Sequence, residues 1–288
     1  MKRIYDSILD LIGWTPLVRL NRIGRNVNPE ILVKIESYNP TCSIKDRIAL
    51  SMIEEAERQG LLKPESVIVE PTTGNTGIAL SLVAAVKGYR MIVVMPEFVS
   101  RERTLICEAF GAEVVLTPKE EGISGVIQKA QEIVTSTPHA FMPDQFSNPA
   151  NPKAHRETTG KEIIEQTDGN LDVFVAAAGT GGTLSGVASI LKEKIPTVKV
   201  VVVEPASSPI LSGGKPGFHK IEGIGEGFIP KVLDTTLYDE VVAVTDEDAI
   251  AMSRRMAREE GILAGISSGA NVWASLKIAE KMEKGRIV

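Results

Sequence analysis

Lys45 stands in the segment 39–47, N-P-T-C-S-I-K-D-R, directly ahead of Ile48, Ala49, Met52, Ile53 and Ala56, which recur at helical spacing before a stop at Gly60. The lysine therefore precedes or opens the first turn of an amphipathic helix. At that place the positive end of the helix dipole, or partial burial, disfavours the ammonium relative to the neutral amine, and a neutral amine can condense with a carbonyl. A lone lysine is more often a solvated charge. Its chemistry has to be decided by other residues.

A second group is Gly179, Thr180, Gly181, Gly182 and Thr183, the run G-T-G-G-T between a strand pattern and a helix pattern. Its backbone N–H groups can come close to an anion, and the two threonines add hydroxyl donors, as a phosphate requires. The run lacks the Lys-Ser/Thr end of a Walker A loop. It also carries Leu184 where G-x-G-x-x-G needs its last glycine, which weakens a dinucleotide reading. Thr72, Thr73, Gly74 and Asn75 follow another strand and could hold a carboxylate, or could cap the helix after them. Ser267 and Ser268 sit at a third turn of this kind, with the same two readings. An amine, a phosphate cradle, a carboxylate turn and a serine turn together are the parts needed to hold pyridoxal phosphate and an amino acid.

These parts need a frame. Runs rich in Val and Ile, at 67–70, 91–95, 113–116, 172–178, 199–204 and 240–244, alternate with helical patterns, which predicts an α/β protein with mostly parallel sheet. Ser100 is placed to cap a helix over 103–110, Thr245 one over 246–260, and a single helix is expected around 154–167. The run I-L-A-G-I-S-S-G-A-N reads as strand, turn and helix, the helix continuing to Lys284. The segment 142–152 holds three prolines and marks a domain crossing, while 205–230 reads as a long loop.

The chain has 288 residues and a net charge of −5, so it offers no basic footprint for nucleic acid or a membrane surface. No stretch approaches the ~18 apolar residues of a span, and Asp6 and Asp10 interrupt any signal peptide. A cytoplasmic location and a small-molecule partner are expected. Cys42 and Cys107 are too far apart for a disulfide framework, and Cys42 reads as a small buried thiol. His139, His155 and His219 lack ligand spacing, and no metal is expected.

Taken together, I-G-W-T-P-L-V-R-L, N-P-T-C-S-I-K-D-R, E-P-T-T-G-N-T-G, D-Q-F-S-N-P-A-N, G-T-G-G-T, K-P-G-F-H-K-I-E-G-I-G-E-G-F-I-P and G-I-S-S-G-A span nearly the whole chain in order. In these the sequence resembles the fold type II (tryptophan synthase β-like) pyridoxal-phosphate enzymes, and among them the O-acetylserine sulfhydrylases, or cysteine synthases. The resemblance implies two three-layer αβα domains with twisted, mostly parallel sheets. Residues 39–148 would form a smaller mobile domain, 13–38 plus 149–288 a larger one with the phosphate loop, and 1–12 an N-terminal arm.

The resemblance also implies roles. Lys45 would form the internal aldimine and carry protons at the substrate α-carbon. Gly179, Thr180, Gly181, Gly182 and Thr183 would hold the cofactor phosphate, and Asn75 its phenolic oxygen. Thr72, Thr73, Gly74 and Gln145 would hold the substrate carboxylate, and Ser267 would face the pyridine nitrogen. The implied reaction is β-replacement of O-acetyl-L-serine by sulfide, giving L-cysteine and acetate through an aminoacrylate. A homodimer is implied, as is binding of the C-terminal tail of serine acetyltransferase.

Departures are Glu222, where many relatives have glutamine, and Glu226, where a small residue is common. Residues 286–288 read as the start of a strand through which relatives continue. Competing readings are cystathionine β-synthase, O-phosphoserine sulfhydrylase, a serine or threonine dehydratase and, in another class, a non-catalytic scaffold. A phosphoserine substrate would need an additional cation, for which Lys215, Lys220 and Arg103 are the candidates.

Overall fold

The structure is a computed structural model that describes residues 4–288. In chain order its strands are β1 (Leu17–Arg19), β2 (Glu30–Lys34), β3 (Val67–Pro71), β4 (Arg90–Pro96), β5 (Glu113–Thr117), β6 (Ala140–Phe141), β7 (Val173–Ala177), β8 (Lys199–Pro205), β9 (Glu240–Val244) and β10 (Arg286–Ile287). Its α-helices are α1 (Lys45–Arg58), α2 (Asn75–Lys87), α3 (Arg101–Ala109), α4 (Gly122–Ser136), α5 (Ala150–Glu157), α6 (Thr159–Gln166), α7 (Gly182–Lys194), α8 (Asp246–Arg255) and α9 (Ile266–Ala279). Two compact units divide the chain: residues up to Gly13 with Glu36–Asn151, and Trp14–Ile35 with Pro152–Val288.

The first unit holds a parallel sheet in the order β5-β4-β3-β6. Alternation along the strands sends Val67, Val69, Ile92 and Val94 to one face, where they pack with Val126 and Ala130 of α4. The other face carries α2. A Cβ on Gly77 of that helix would stand 2.8 Å from the Val93 side chain and 3.0 Å from Met95, so glycine lets α2 lie close to the sheet. Strands covered on both faces read as continuous apolar runs, as these do.

The second unit holds a sheet in the order β1-β2-β10-β7-β8-β9, parallel except for the β1–β2 pair. Val173, Val175, Val201, Val203 and Ile287 pack on one face with residues of α8 and α9. Phe174, Ala176, Val200, Val202 and Val288 pack on the other with residues of α6 and α7. Each unit is thus a three-layer αβα sandwich built on mostly parallel strands, the fold class that the motifs imply.

Several local expectations need correction. The helix around 154–167 is two helices, α5 and α6, broken at Thr158 (φ −118°, ψ −79°). The Thr158 hydroxyl donates to the Ala154 carbonyl at 2.7 Å, sharing that acceptor with the Thr158 N–H at 2.9 Å, a back-bond of the kind that bends helices. Ser100 occupies the N-cap of α3, yet its side chain makes no capping bond, whereas the Thr245 side chain does accept from the Asp248 N–H.

Residues 262–265 are not a strand. Leu263 is 87% exposed, which an interior strand of a covered sheet does not permit. The helix after them ends at Ala279 rather than Lys284, and 256–260 is a π-helical turn. Cys42 is exposed and only Cys107 is buried, because Cys42 lies in a left-handed turn (φ +59°) outside the core. Strands β1, β2 and β6 are too short, or too polar, to stand out from the sequence.

Gly77→Ala should lower stability by about 1–3 kcal/mol, since the added methyl has to push α2 away from Val93 and Met95. Urea unfolding would register this as a lower midpoint at unchanged slope.

Candidate active site

In the first unit, Lys45 is half-buried and is the first residue of α1. Its backbone N–H donates to Ser43 Oγ at 3.2 Å. The next two residues are buried charges. The Asp46 carboxylate accepts the Thr41 N–H at 2.7 Å and the Thr41 hydroxyl. Burial raises the Asp46 carboxyl above its usual range, although those two bonds oppose the shift. Arg47 forms a two-pronged pair with Glu36 at 2.7 and 2.9 Å. Glu36 also accepts from Asn39 Nδ2 at 2.9 Å, and Asn39 Oδ1 accepts the Gly13 N–H at 2.8 Å. The start of α1 is therefore tied to the loop before it from several directions.

The 72–75 turn joins β3 to α2, and α2 packs against α1. Gly74 holds the N-cap position and no side chain caps the helix, so capping is not what the threonines do. Instead Thr72 Oγ1 accepts the Gly74 N–H at 3.1 Å, closing a tight turn. Asn75 is exposed in the first helical turn. Arg103, reaching from α3, donates to the Thr73 carbonyl at 3.0 Å, and its guanidinium lies 3.3 Å from where a Gly74 Cβ would stand. Arg103 thus places a cation beside this turn.

Gln145 is buried next to the same turn. Its Oε1 accepts from the Thr76 hydroxyl at 2.7 Å and its carbonyl from Asn151 Nδ2 at 2.7 Å. The Glu70 carboxyl accepts the N–H of Asp144 at 2.9 Å and of Gln145 at 3.2 Å. Burial pushes the Glu70 pKa up to about 8, outweighing these two bonds, which pull it down. Thr72, Thr73, Gly74, Asn75 and Gln145 accordingly share one neighbourhood.

In the second unit, Gly179 to Thr183 lead from β7 into the first turn of α7, whose dipole favours an anion; the Gly182 N–H there donates to Thr180 Oγ1 at 3.3 Å. The turn has no room for side chains at two of its glycines. A Cβ on Gly179 would stand 2.3 Å from the Gly223 carbonyl oxygen, and one on Gly181, which has φ +83°, would stand 2.5 Å from Leu233 Cβ. The loop around Gly223 backs the turn further, since the Gly225 N–H donates to the Ala178 carbonyl at 3.0 Å. Thr183 Oγ1 meets His155 Nε2 at 3.2 Å, and His155 Nδ1 meets Thr159 Oγ1 at 3.0 Å. Ser267 is half-buried in the first turn of α9, where Gly265 holds the N-cap position without a side-chain cap.

Glu70 is the residue of this neighbourhood that the sequence motifs do not single out. The signal for Glu70 was available: an acid inside V-I-V-E-P breaks the apolar run of a covered strand. Of the three candidate cations, Arg103 alone belongs to the first unit; Lys215 and Lys220 lie in the long loop of the second.

Residues 8–288 match the family described as pyridoxal-phosphate dependent enzyme. The chain belongs to the pyridoxal-phosphate dependent enzymes. Within this family it is 50% identical to a cysteine synthase of Staphylococcus aureus over 284 residues, 98% of this chain and 91% of that protein. Its fold matches the crystal structure of cysteine synthase from Entamoeba histolytica with a TM-score of 0.97 and 44% identity, covering 100% of this chain and 87% of the other. An O-acetylserine dependent cystathionine beta-synthase from Helicobacter pylori is also similar, with a TM-score of 0.94 and 41% identity over 99% of this chain and 94% of the other.

The raised pKa of Glu70 has a consequence for stability. Between the ordinary carboxylate value and about 8 the folded protein holds a proton that the unfolded chain has released, so this contribution is present at low pH and is lost as pH rises through that window. The slope approaches about 1.4 kcal/mol per pH unit. Comparing melting temperatures of wild type and Glu70→Gln from about pH 5 to about pH 8 should show wild type losing more stability as pH rises; parallel curves would refute it.

Proposed function

We propose that Lys45, Asn75, Gly179, Thr180, Gly181, Gly182, Thr183 and Ser267 hold pyridoxal phosphate, and that Thr72, Thr73, Gly74 and Gln145 hold the substrate carboxylate. The enzyme uses O-acetyl-L-serine and sulfide to make L-cysteine and acetate. The observation that carries the residue assignment is the 179–183 turn, where side chains are excluded at Gly179 and Gly181 at the start of a helix. Such a cradle fits a phosphate.

When bound, pyridoxal phosphate supplies an electron sink for carbanion chemistry at the substrate α-carbon. The remaining work falls to the chain. Lys45 Nζ anchors the cofactor and then takes and returns the α-proton. Thr72 and Thr73 give hydroxyl donors, and Gln145 gives an amide donor, to the substrate carboxylate. Asn75 donates to the cofactor's phenolic oxygen. Ser267 offers the pyridine nitrogen a neutral hydroxyl, which cannot hold a proton there as a carboxylate would. That choice steers the reaction toward loss of acetate from the β-carbon and its replacement by sulfide.

Homocysteine in place of sulfide is a second reading, favoured by the likeness to the Helicobacter pylori protein. Among the described residues no helix is long and apolar enough to cross a membrane, and we place the enzyme in the cytoplasm. It acts as a homodimer and accepts the C-terminal tail of serine acetyltransferase in its substrate site. Light scattering tests the dimer, cell fractionation the location, and competition between such a peptide and O-acetylserine the tail.

Lys45→Ala should lower cysteine formation from O-acetylserine and sulfide by at least about a hundredfold, and should let the visible cofactor absorbance be removed by dialysis. Undiminished turnover in this variant would remove Lys45 from the mechanism. Replacing sulfide by homocysteine in the same assay separates the two nucleophiles.

A further inference from the structure

We propose that Glu70 is a positioning residue for the substrate carboxylate, locking Gln145 and the 72–74 turn into one rigid receptor. The inference rests on the assignment of Thr72, Thr73 and Gln145 to substrate binding and adds to it the group that sets their spacing. Strand β6 has two residues, so its ladder with β3 ends at the Ile68–Phe141 pair. Beyond that pair the chain turns away, with Asp144 in the left-handed region at φ +53°.

Glu70 is two residues further along β3, on the same face as Ile68, and is 1% exposed. Its Oε2 accepts the Asp144 N–H at 2.9 Å and its Oε1 the Gln145 N–H at 3.2 Å. A side chain thus takes over as acceptor where the backbone ladder has ended. An apolar residue here would leave two buried N–H groups without partners, each a substantial loss. Aspartate is one methylene shorter and cannot reach both. Glutamine presents an NH2 group to one of the two N–H groups, and two donors repel.

Glu70 is also covalently close to the other half of the receptor, since only Pro71, with its fixed φ, separates it from Thr72. The donor end of Gln145 is set in the same way. Its Oε1 is occupied by the Thr76 hydroxyl, which leaves the amide nitrogen as the end that faces an acceptor such as a carboxylate. Moving the Gln145 backbone would turn that donor away from the threonine hydroxyls. The requirement on Glu70 is therefore geometric, and its loss should weaken binding of the amino-acid substrate while leaving the nucleophile's apparent affinity in place.

The test compares Glu70→Gln with Val69→Ala in the holoenzyme. Val69 is its buried neighbour on the opposite face of β3. In Glu70→Gln we expect faster amide exchange over residues 142–148 with unchanged protection of α1, and a KM for O-acetylserine raised about tenfold, equivalent to about 1.4 kcal/mol. The KM for sulfide should stay within about twofold, a range set by ordinary non-additivity. Val69→Ala should melt at lower temperature yet leave both KM values alone. Unchanged exchange over 142–148, or an equal KM rise in Val69→Ala, overturns the proposal. Glu70→Asp, which keeps the acid but shortens it, gives the same readings should Glu70→Gln not fold. Wild-type turnover of O-acetylserine reports on the assigned reaction separately, so a failure of that reading is distinguishable from a failure at Glu70.

Discussion

The first unit depends on burying two charges beside Lys45, the residue proposed to anchor the cofactor. Asp46 and Arg47 follow Lys45 directly and are both buried, a costly arrangement unless each finds partners. Asp46 finds Thr41, and Arg47 finds Glu36, which in turn engages Asn39. These bonds gather the 36–47 segment around the first turn of α1. A lysine side chain has four rotatable bonds and is normally mobile. Fixing its backbone at a helix start, with both following residues locked, restricts where its amine can travel.

Two groups of the remaining candidate residues obey one rule of parallel sheets. In open α/β sheets ligands gather at the carboxyl ends of strands, where a short turn hands the chain to a helix. The 72–75 turn follows β3, and the 179–183 turn follows β7. Both turns present backbone N–H groups at the start of a helix, which suits anions at either place. In each a threonine hydroxyl accepts the N–H two residues on, Thr72 from Gly74 and Thr180 from Gly182. Arg103 then grips the Thr73 carbonyl in the first, and Gly223 packs closely against Gly179 in the second.

Much of this was legible in the sequence because it lies in local patterns. The strand runs, the helix opened by Lys45 and the glycine turn at Gly179 are each written within a dozen or so residues, the span over which periodicity and turn chemistry operate. What stayed hidden depends on residues far apart. Nothing near Gly179 announces that Gly223 packs against it, and nothing near Gln145 announces Glu70. The break at Thr158 escapes the sequence because the period continues through it while the backbone of that one residue departs from helical angles. Residues 262–265 were misread as strand because a short apolar run has no period of its own, and only burial distinguishes a strand from a loop there.

The pairing of β10 with β2 brings Arg286 beside Glu30, residues 256 positions apart. The intervening stretch contains the whole of Glu36–Asn151, which has its own sheet and core. Loop-closure entropy grows only logarithmically with length, and a segment that is already compact shortens the effective loop. The inserted unit can therefore assemble from contacts of its own, while β10 reaches β7 across a much shorter separation than the one that brings β2 to β10. That single register sets the largest loop-closure cost among the strand pairs of the described residues.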